Sequence, residues 1–419
     1  MLQVSIKKSF MKKKSFLLWS LLLVGLSMTA CSDKNEVPGT EDGEKSSFTI
    51  KLALQNSNTN TRAPQSTAIP ATSWSNIHQV QLFLYDAANT VRFSDVITPS
   101  ATQSTFTYTD VPVGTYTVVL VANAKSSTDP VVTSLDNGAT AAEWTKWTVR
   151  QKLATGMLIK QKTGTFPAFL GSALAAKTAY VEPSEVFMGE ATGVTITANT
   201  TTTVPAITLK REVSLMRLRL NVKDGDGVVN ENVDKGVDFA QDASILLHRL
   251  PDNMKILAGN AGGVSATSST DNILSISGAD VFKTADPTTG YAPTTILGGN
   301  FTMWRDIVVF PNNGGRANNS ATTGLATAAQ QYFIVVSGKG KVGHILANGT
   351  ALTAETTVYW SGVVKENFIP NVIREVNLTL QTGGTTEVPV NPTEYGGLTI
   401  TVSAPAPWDS NIVDSNIIL

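Results

Sequence analysis

The sequence has few of the residues that build catalytic, metal and disulfide sites. Its 419 residues include one cysteine and three histidines. A single cysteine leaves no disulfide to form, and His78, His248 and His344 are spaced too widely to indicate a zinc site. No GxSxG element is present to place a nucleophilic serine. We therefore expect no catalytic residues, no metal and no cofactor, and the chain is not predicted to be an enzyme.

Charge of either sign is also sparse. The chain has 32 Lys and Arg against 33 Asp and Glu, a formal net charge of −1, and these residues are scattered along its length. Such a balance gives no basic surface for nucleic acid, because phosphate recognition needs clustered positive charge. The expected partners are proteins, surfaces or neutral molecules.

Long apolar runs are absent except near the N-terminus. The run FLLWSLLLVGL, Phe16–Leu26, follows a lysine-rich stretch and is too short to span a bilayer as a stable helix. Residues 1–30 are therefore predicted to be a signal peptide. Because Met11-Lys-Lys-Lys is itself a normal opening for such a peptide, the start is either Met1 or Met11.

The lone cysteine directly follows this segment. The sequence Met28-Thr29-Ala30-Cys31 is similar to a bacterial lipobox, which predicts cleavage before Cys31 and lipidation of its thiol with acyl chains such as palmitate. Acyl chains hold a protein on a membrane surface without a transmembrane helix. The alternative is an unrelated free thiol behind an ordinary cleavage site. Residues 32–46 are charged, contain Pro and Gly, and are predicted to be a tether.

A strict alternation of apolar and other residues begins after the tether. Phe48, Ile50, Leu52 and Leu54 point to one side of an extended chain, and the residues between them point to the other. This pattern predicts a half-buried strand. It is followed by the sequence Thr61-Arg62-Ala63-Pro64.

Further strand-like segments recur between turn residues for the rest of the chain, and they are rich in Thr, Val and Ile. They lie at residues 78–87, 114–124, 194–198, 205–222, 243–250, 306–311, 331–338, 356–362, 374–380 and 397–404. Helix is predicted only at residues 140–155, with minor pieces near 170–178. The fold class is therefore mainly all-β, as two tandem antiparallel β-sandwich domains at residues 63–208 and 209–419.

Three other patterns have a functional and a structural interpretation. GKGKVG, Gly338–Gly343, matches a dinucleotide-binding pattern, but no helix is predicted behind it, which favours a hairpin turn. Asp224, Asp226, Asn230 and Glu231 have oxygen ligands for calcium but lack EF-hand spacing, and Asp-Gly is common in turns.

The third pattern is a pair of tryptophans on the predicted helix. Trp144 and Trp147 lie on one helical face and could stack on sugar rings if they are exposed. Aromatic residues at helical spacing are more often core residues, so the structural interpretation is favoured.

Several elements together resemble the fimbrillins of Bacteroidota type V pili, of the FimA and Mfa kind. The lipobox and the short strand before Arg62 are two of them, and the sequence Cys31-Ser-Asp-Lys-Asn-Glu resembles the acidic signal that sends lipoproteins of this phylum to the cell exterior. The others lie along the mature chain, at Val80–Asp86, Gly114–Ala124, Phe187–Gly189, Leu209–Val222, Ile369–Asn371 and Leu398–Val413.

The resemblance implies a route of assembly and a transthyretin-like sandwich fold. Residues 31–62 would be a lipidated propeptide, cut between Arg62 and Ala63 by an arginine-specific protease, and its strand with Phe48, Ile50, Leu52 and Leu54 would be removable. The groove would then receive the C-terminal strand of another subunit. That donor strand, within residues 383–419, would include Leu398, Ile400, Val402 and Trp408.

The predicted function is therefore a structural pilin subunit of surface fimbriae, supporting adhesion, biofilm formation and colonisation or virulence. Its partners would be other pilin subunits, anchor and tip proteins, the protease, and the outer membrane before processing. A stalk subunit is favoured over a tip adhesin. The alternatives are a pilus anchor that keeps its lipid and its first strand, and a monomeric surface lipoprotein that binds glycans.

Overall fold

The alternating segments of the sequence form strands, and helix is nearly absent from the part of the chain that can be described. The computed structural model describes residues 46–56, 77, 79–97, 104–123, 132–135, 157–222, 230–251, 253–256, 271–278, 281–283, 303–312, 326, 330–390, 397–408 and 411–413. All of them belong to one compact unit, Lys45–Leu419. Several predicted features lie outside the described residues. They are the signal peptide, Cys31, Arg62, Ala63, His78, Asp224, Asp226, and the predicted helix at 140–155 with Trp144 and Trp147.

The strands are numbered in chain order. The first eleven are β1 Ser47–Asn56, β2 Val80–Tyr85, β3 Val91–Ile97, β4 Thr105–Thr109, β5 Gly114–Ala122, β6 Val132–Leu135, β7 Met157–Lys160, β8 Thr178–Tyr180, β9 Phe187–Ile196, β10 Thr201–Thr203 and β11 Ile207–Arg211. The next six are β12 Ser214–Asn221, β13 Val237–Asp238, β14 Ser244–His248, β15 Asn253–Lys255, β16 Asn272–Ser277 and β17 Met303–Val309. The last six are β18 Tyr332–Gly340, β19 Thr356–Val364, β20 Val372–Leu380, β21 Leu398–Val402, β22 Ala406–Pro407 and β23 Asn411–Val413. A 3₁₀ helix spans Ala168–Leu170, and helix α1 spans Glu231–Gly236.

These strands form four sheets. The first has the order β10-β1-β11-β9-β5-β2-β3, with β4 and β23 also paired to β1. The second has the order β17-β12-β20-β21, with β22 on β20, and the third has the order β13-β18-β14-β16-β8, with β19 on β18. A small sheet contains β15, β7 and β6. The mainly antiparallel, all-β class predicted from the sequence is confirmed.

The second and third sheets form a sandwich. Met216 and Leu218 on β12 and Ile245 and Ile334 on the third sheet are all buried in one apolar cluster, so the two sheets pack face to face. The outer face of the third sheet is covered in turn by Leu170 and neighbouring apolar residues.

The first sheet surrounds a core of its own. Phe48, Ile50 and Leu52 of β1 are buried there with apolar residues of β2, β5, β9 and β11. The opposite face of β2 and β5 packs against the start of β12 and the end of β17, as shown by the cluster that holds Phe83 and Leu215. The predicted domain boundary at residues 208 and 209 stays a prediction, although the chain leaves the first sheet at Arg211 and joins the second at Ser214.

The predicted long strand at 205–222 is two strands, because Glu212 and Val213 break it between β11 and β12. Alternation within β12 is as expected, but both of its faces are buried. Arg217 donates two hydrogen bonds of 3.1 Å to Asp306 on the adjacent β17. This pairing neutralises charges that would otherwise be costly to remove from water.

Candidate functional site

Strand β1 lies in the interior of the first sheet. Ser47, Phe48 and Thr49 pair with β10 on one side and with β4 on the other. At its far end, Leu54 pairs with Leu209 of β11 and with Val413 of β23. Since β1 has neighbours on both sides, its departure would leave two unpaired strand edges.

The alternation of β1 matches its surroundings. Phe48, Ile50 and Leu52 have no exposed surface, and Thr49 and Lys51 on the opposite face are partly exposed. The predicted strand and the inward direction of these three side chains are confirmed, whereas the side chain of Leu54 lies outside the described residues. The removable role of the strand stays a prediction.

The walls of the β1 site are aromatic on one side and rich in threonine on the other. The Phe48 ring lies 6.3 Å from the Tyr108 ring, which makes an edge contact with Phe93 at 5.3 Å. Burial raises the pKa of Tyr108 above its ordinary value. On the outward face, the hydroxyls of Thr49 and Thr107 are 2.9 Å apart.

Backbone groups of β1 are also bonded outside its regular ladders. The Leu52 N–H donates to Ser104 O at 2.8 Å, and Thr49 O accepts from the Val204 N–H at 3.0 Å. The Ser46 hydroxyl donates to Val111 O just ahead of the strand. The site therefore holds β1 of the same chain through main-chain hydrogen bonds and through pockets for its alternate side chains.

The C-terminal strand β21 occupies an edge of the second sheet. It pairs antiparallel with β20 from Leu398, opposite Leu380, to Val402, opposite Val376. Leu398, Ile400 and Val402 are half-buried against the sandwich core, and the threonines between them are exposed. The predicted alternation is confirmed, and its role as donor stays a prediction.

Close packing beneath β21 depends on Gly362 of β19. A Cβ at this position would lie 2.6 Å from Ile400 Cδ1 and 3.3 Å from Leu398 Cβ. Glycine therefore leaves the space that these two side chains fill. Sequence reasoning missed this residue, because a glycine inside a strand does not reveal which side chain lies above it.

The segment before β21 is bound more firmly than its glycines suggest. Trp360 Nε1 donates to Thr382 O at 2.8 Å, His344 Nε2 lies 2.7 Å from Gly383 O, and the Ala347 N–H donates to Gly384 O at 2.9 Å. Thr385 also exchanges two backbone hydrogen bonds with Tyr359. Residues 382–385 are thus tied to β19 and to the segment between β18 and β19, and an arm that detaches would begin after them.

Trp408 anchors the C-terminal segment on the first sheet. Its side chain is 3% exposed and lies against Arg211, whose guanidinium carbon is 3.8 Å from the ring centroid. Arg211 Nη2 also lies 2.7 Å from the Glu185 carboxylate. Beyond Trp408, β23 pairs with residues 54–56 of β1, so the C-terminal segment contacts the strand predicted to be removable.

Other candidate residues have structural surroundings. Gly338 and Gly340 lie in β18, and a turn follows in which Gly343 has φ +88°, as the hairpin interpretation predicts. Asn230 is the N-cap of α1, since its side chain accepts from the Val233 N–H. His248 is buried against Phe333, and burial lowers its pKa to about 3.

The described residues contain no group of three or more His, Cys, Asp or Glu side chains placed to hold a metal ion. Within the same residues, no helix is long and apolar enough to cross a membrane.

A family model described as fimbrillin-A associated anchor proteins Mfa1 and Mfa2 matches residues 41–297, more than half of the 419 residues. The chain belongs to this family. The predicted resemblance to fimbrillins is therefore confirmed. Membership places the chain among fimbrial, adhesin-like proteins of the cell surface, which are structural proteins rather than enzymes. No curated protein matches the chain.

Several solved structures are similar to the Mfa-family chain at low identity. A candidate cell adhesion protein from Bacteroides eggerthii is 15% identical, with a TM-score of 0.44 over 87% of this chain and 97% of its own. A fimbrilin, FimA, from Porphyromonas gingivalis is 13% identical, with a TM-score of 0.41 over 88% and 99%. A candidate polysaccharide binding protein from Bacteroides thetaiotaomicron is 12% identical, with a TM-score of 0.41 over 88% and 99%. The family assignment rests on the family model.

Proposed function

We propose that this chain is a structural subunit of surface fimbriae, which reaches the outer membrane as a lipoprotein on Cys31. Cleavage after Arg62 by an arginine-specific protease then allows β1 to leave. The observation that carries this proposal is the position of β1, which completes the interior of a sheet but is joined to Ile77 only through residues 57–76. That connecting segment contains Arg62.

β1 acts in this proposal as a plug, the strand that fills the groove until the chain is cut after Arg62. Its burial is large enough to keep it in place until then. Its three buried side chains, Phe48, Ile50 and Leu52, contribute roughly 5 to 9 kcal/mol gross, at about 1.5 to 3 kcal/mol for each. Before cleavage, the plug is also held by its covalent link, which keeps it close to its groove. After cleavage, β1 can dissociate and leave an apolar groove that templates strand addition.

The replacement strand is proposed to be the C-terminal strand of another subunit. β21 has the alternation that the groove requires, and it lies on an edge of its own sheet, so its withdrawal breaks the pairing with β20 alone in that sheet and uncovers the part of the sandwich core that its apolar side chains cover. Because groove and donor are different surfaces, the contact is head-to-tail and propagates as an open fibre. Such fibres would support adhesion, biofilm formation and colonisation.

Limited trypsin digestion of the chain lacking residues 1–31 tests this function, with mass spectrometry and electron microscopy as readouts. We expect a preferred cut after Arg62, loss of β1, and fibres whose yield rises with protein concentration. Truncation before Leu398 should abolish fibres but leave the cut unchanged, and Arg62→Gln should abolish both. A cut product that stays monomeric, with β1 still bound at all concentrations, would contradict the stalk function.

A pilus anchor that keeps its lipid and β1 is the second candidate. The description of the matching family model favours it, as does the pairing of β23 with β1, which occupies the C-terminal segment within the same chain. For an anchor, we expect β1 to stay bound after trypsin treatment and the uncut chain to bind a cleaved fimbrial subunit. Failure of the uncut chain to bind such a subunit would contradict the anchor function.

A further inference from the structure

The plug strand and the proposed donor strand share a pattern at residue level. β1 contains Phe48-Thr49-Ile50-Lys51-Leu52, and β21 consists of Leu398-Thr399-Ile400-Thr401-Val402. Threonine and isoleucine occupy the second and third positions of both segments. Alternation alone does not require this identity, because any apolar residue satisfies the inward positions and many polar residues satisfy the outward ones.

The surroundings of β1 explain why threonine and isoleucine suit these two positions. Ile50 has no exposed surface, so its pocket has a defined volume and shape. Thr49 is paired with Thr107 on β4 and with Thr203 on β10, and its hydroxyl lies 2.9 Å from that of Thr107. Cross-strand threonine pairs stabilise a sheet.

We propose that β21 of a second copy of this chain enters the groove in one register, with Ile400 in the pocket of Ile50 and Thr399 beside Thr107. This inference rests on the proposed function. In the same register, Thr401 takes the place of Lys51 and lies opposite Thr105, which adds a second threonine pair across the strands. The donor runs in the direction of β1, parallel to β11.

Sliding the donor by two residues toward the start of the groove would place Ala404 at Leu52 and Pro405 at Ala53. Ala404 would leave most of a fully buried pocket empty. Ala53 pairs with Thr208 of β11, and proline removes a donor from such a ladder. In the proposed register, Pro405 instead falls at Gln55, beyond the last pair of β1 with β11.

Sliding the donor the other way is also unfavourable. Gly396 would then fall at Phe48 and leave that large buried pocket without a side chain. Thr401 would fall at Ala53, which has no exposed surface, so its extra atoms would overpack the site. The proposed register brings only the smaller Ser403 to that position.

The register also predicts that the plug fills the groove better than the donor does. Leu398 replaces the larger Phe48, and Val402 replaces the larger Leu52. Because unfilled volume in a buried pocket is destabilising, the donor should not displace an intact plug. Cleavage would therefore be needed to start the exchange.

Disulfide trapping tests the register directly. The chain lacking residues 1–31 contains no cysteine, so paired substitutions give no background. We expect Thr107→Cys with Thr399→Cys to form disulfide-linked ladders after cleavage, at least tenfold more than either shifted pair. The shifted pairs are Thr107→Cys with Thr401→Cys, for the slide toward the start of the groove, and Thr105→Cys with Thr399→Cys, for the opposite slide. Thr105→Cys with Thr401→Cys should match the first pair.

The outcomes separate this inference from the proposed function. Fibres whose ladders form best with a shifted pair would overturn the register and leave strand exchange standing. If the cleaved chain with its native residues forms no fibres, and no cysteine pair yields ladders, the proposed function fails and the register fails with it. Fibres that form without ladders from any of the four pairs would overturn the register alone.

Discussion

Replacing Gly362 with alanine should weaken the hold of β21 on its own sheet. The added Cβ would lie 2.6 Å from Ile400 Cδ1 and 3.3 Å from Leu398 Cβ. The end of Ile400 can rotate away, but Leu398 Cβ is fixed to the backbone, so β21 itself must shift. Overpacking of this kind costs about 1 to 3 kcal/mol. Since β21 lies at the end of its sheet, undocking relieves the strain, and its undocked population should rise roughly 5- to 140-fold.

Hydrogen exchange of the backbone amides of β21 measures this population. Gly338→Ala is a matched control, because its Cβ would lie 2.9 Å from Val237 Cγ1 and 3.0 Å from Phe239 Cδ1, which are not residues of β21. We expect faster exchange in β21 for Gly362→Ala and unchanged β21 exchange for the control. Equal effects of both substitutions, or full protection of β21 in Gly362→Ala, would refute the reasoning.

Three further changes test contacts of β1, of the C-terminal segment and of a buried histidine. Phe48→Ala empties a fully buried site, so the uncut chain should lose about 3 to 5 kcal/mol, measured by urea unfolding; an unchanged midpoint would contradict the burial of this ring. Arg211→Lys removes the planar stacking on Trp408, and we expect the free energy of unfolding, measured in urea, to fall by about 1 to 2 kcal/mol. Arg92→Lys, at a partly exposed ion pair, is the control and should lower it less. Equal losses in the two variants would show that the stacking is unimportant. Burial lowers the pKa of His248 to about 3, so the unfolded chain binds the proton first and stability should fall as pH drops from about 6.5 toward 3. His248→Phe should reduce this fall, and an identical pH profile would exclude the histidine as its source.

Strands with strict alternation or long apolar runs can be predicted from the sequence, because their pattern alone defines a face. β1, β5, β18 and β21 lie where their patterns place them. β4 alternates in the same way, with Phe106 and Tyr108 between threonines, but it is missing from our predicted strands, whereas β10 could not be found from its own pattern. β10 is Thr201–Thr203, without an apolar residue, and it forms a strand because Ser47–Thr49 of β1 pairs with it. The information for such a strand lies in a distant segment rather than in its own composition.

The candidate site shows the same division. Alternation identifies the inward residues of β1 and β21. The resemblance to a family predicts Trp408 as part of the donor strand, whereas the structure places it after β22 and outside the strands. Neither identifies Arg211 as the group on which Trp408 packs, because that contact requires the register between sheets that are far apart in sequence. The space above Gly362 is likewise defined only when β19 and β21 are brought together.

The burial of β21 in its own sheet, compared with the burial available in the β1 groove, indicates why strand exchange would proceed toward assembly. In its own sheet, β21 is an edge strand, and its side chains Leu398, Ile400 and Val402 are only half-buried. The inward side chains at the β1 site are fully buried. Moving β21 from this edge to an empty groove uncovers part of the sandwich core, but it buries the inward side chains of the strand together with the apolar groove and gives the strand neighbours on both sides. The exchange is therefore favourable once β1 has left. While β1 is present, its larger Phe48 and Leu52 fill the same groove more completely. The difference in side-chain size between plug and donor thus keeps the subunit inactive until it is cut, and the greater burial in the groove drives assembly afterwards.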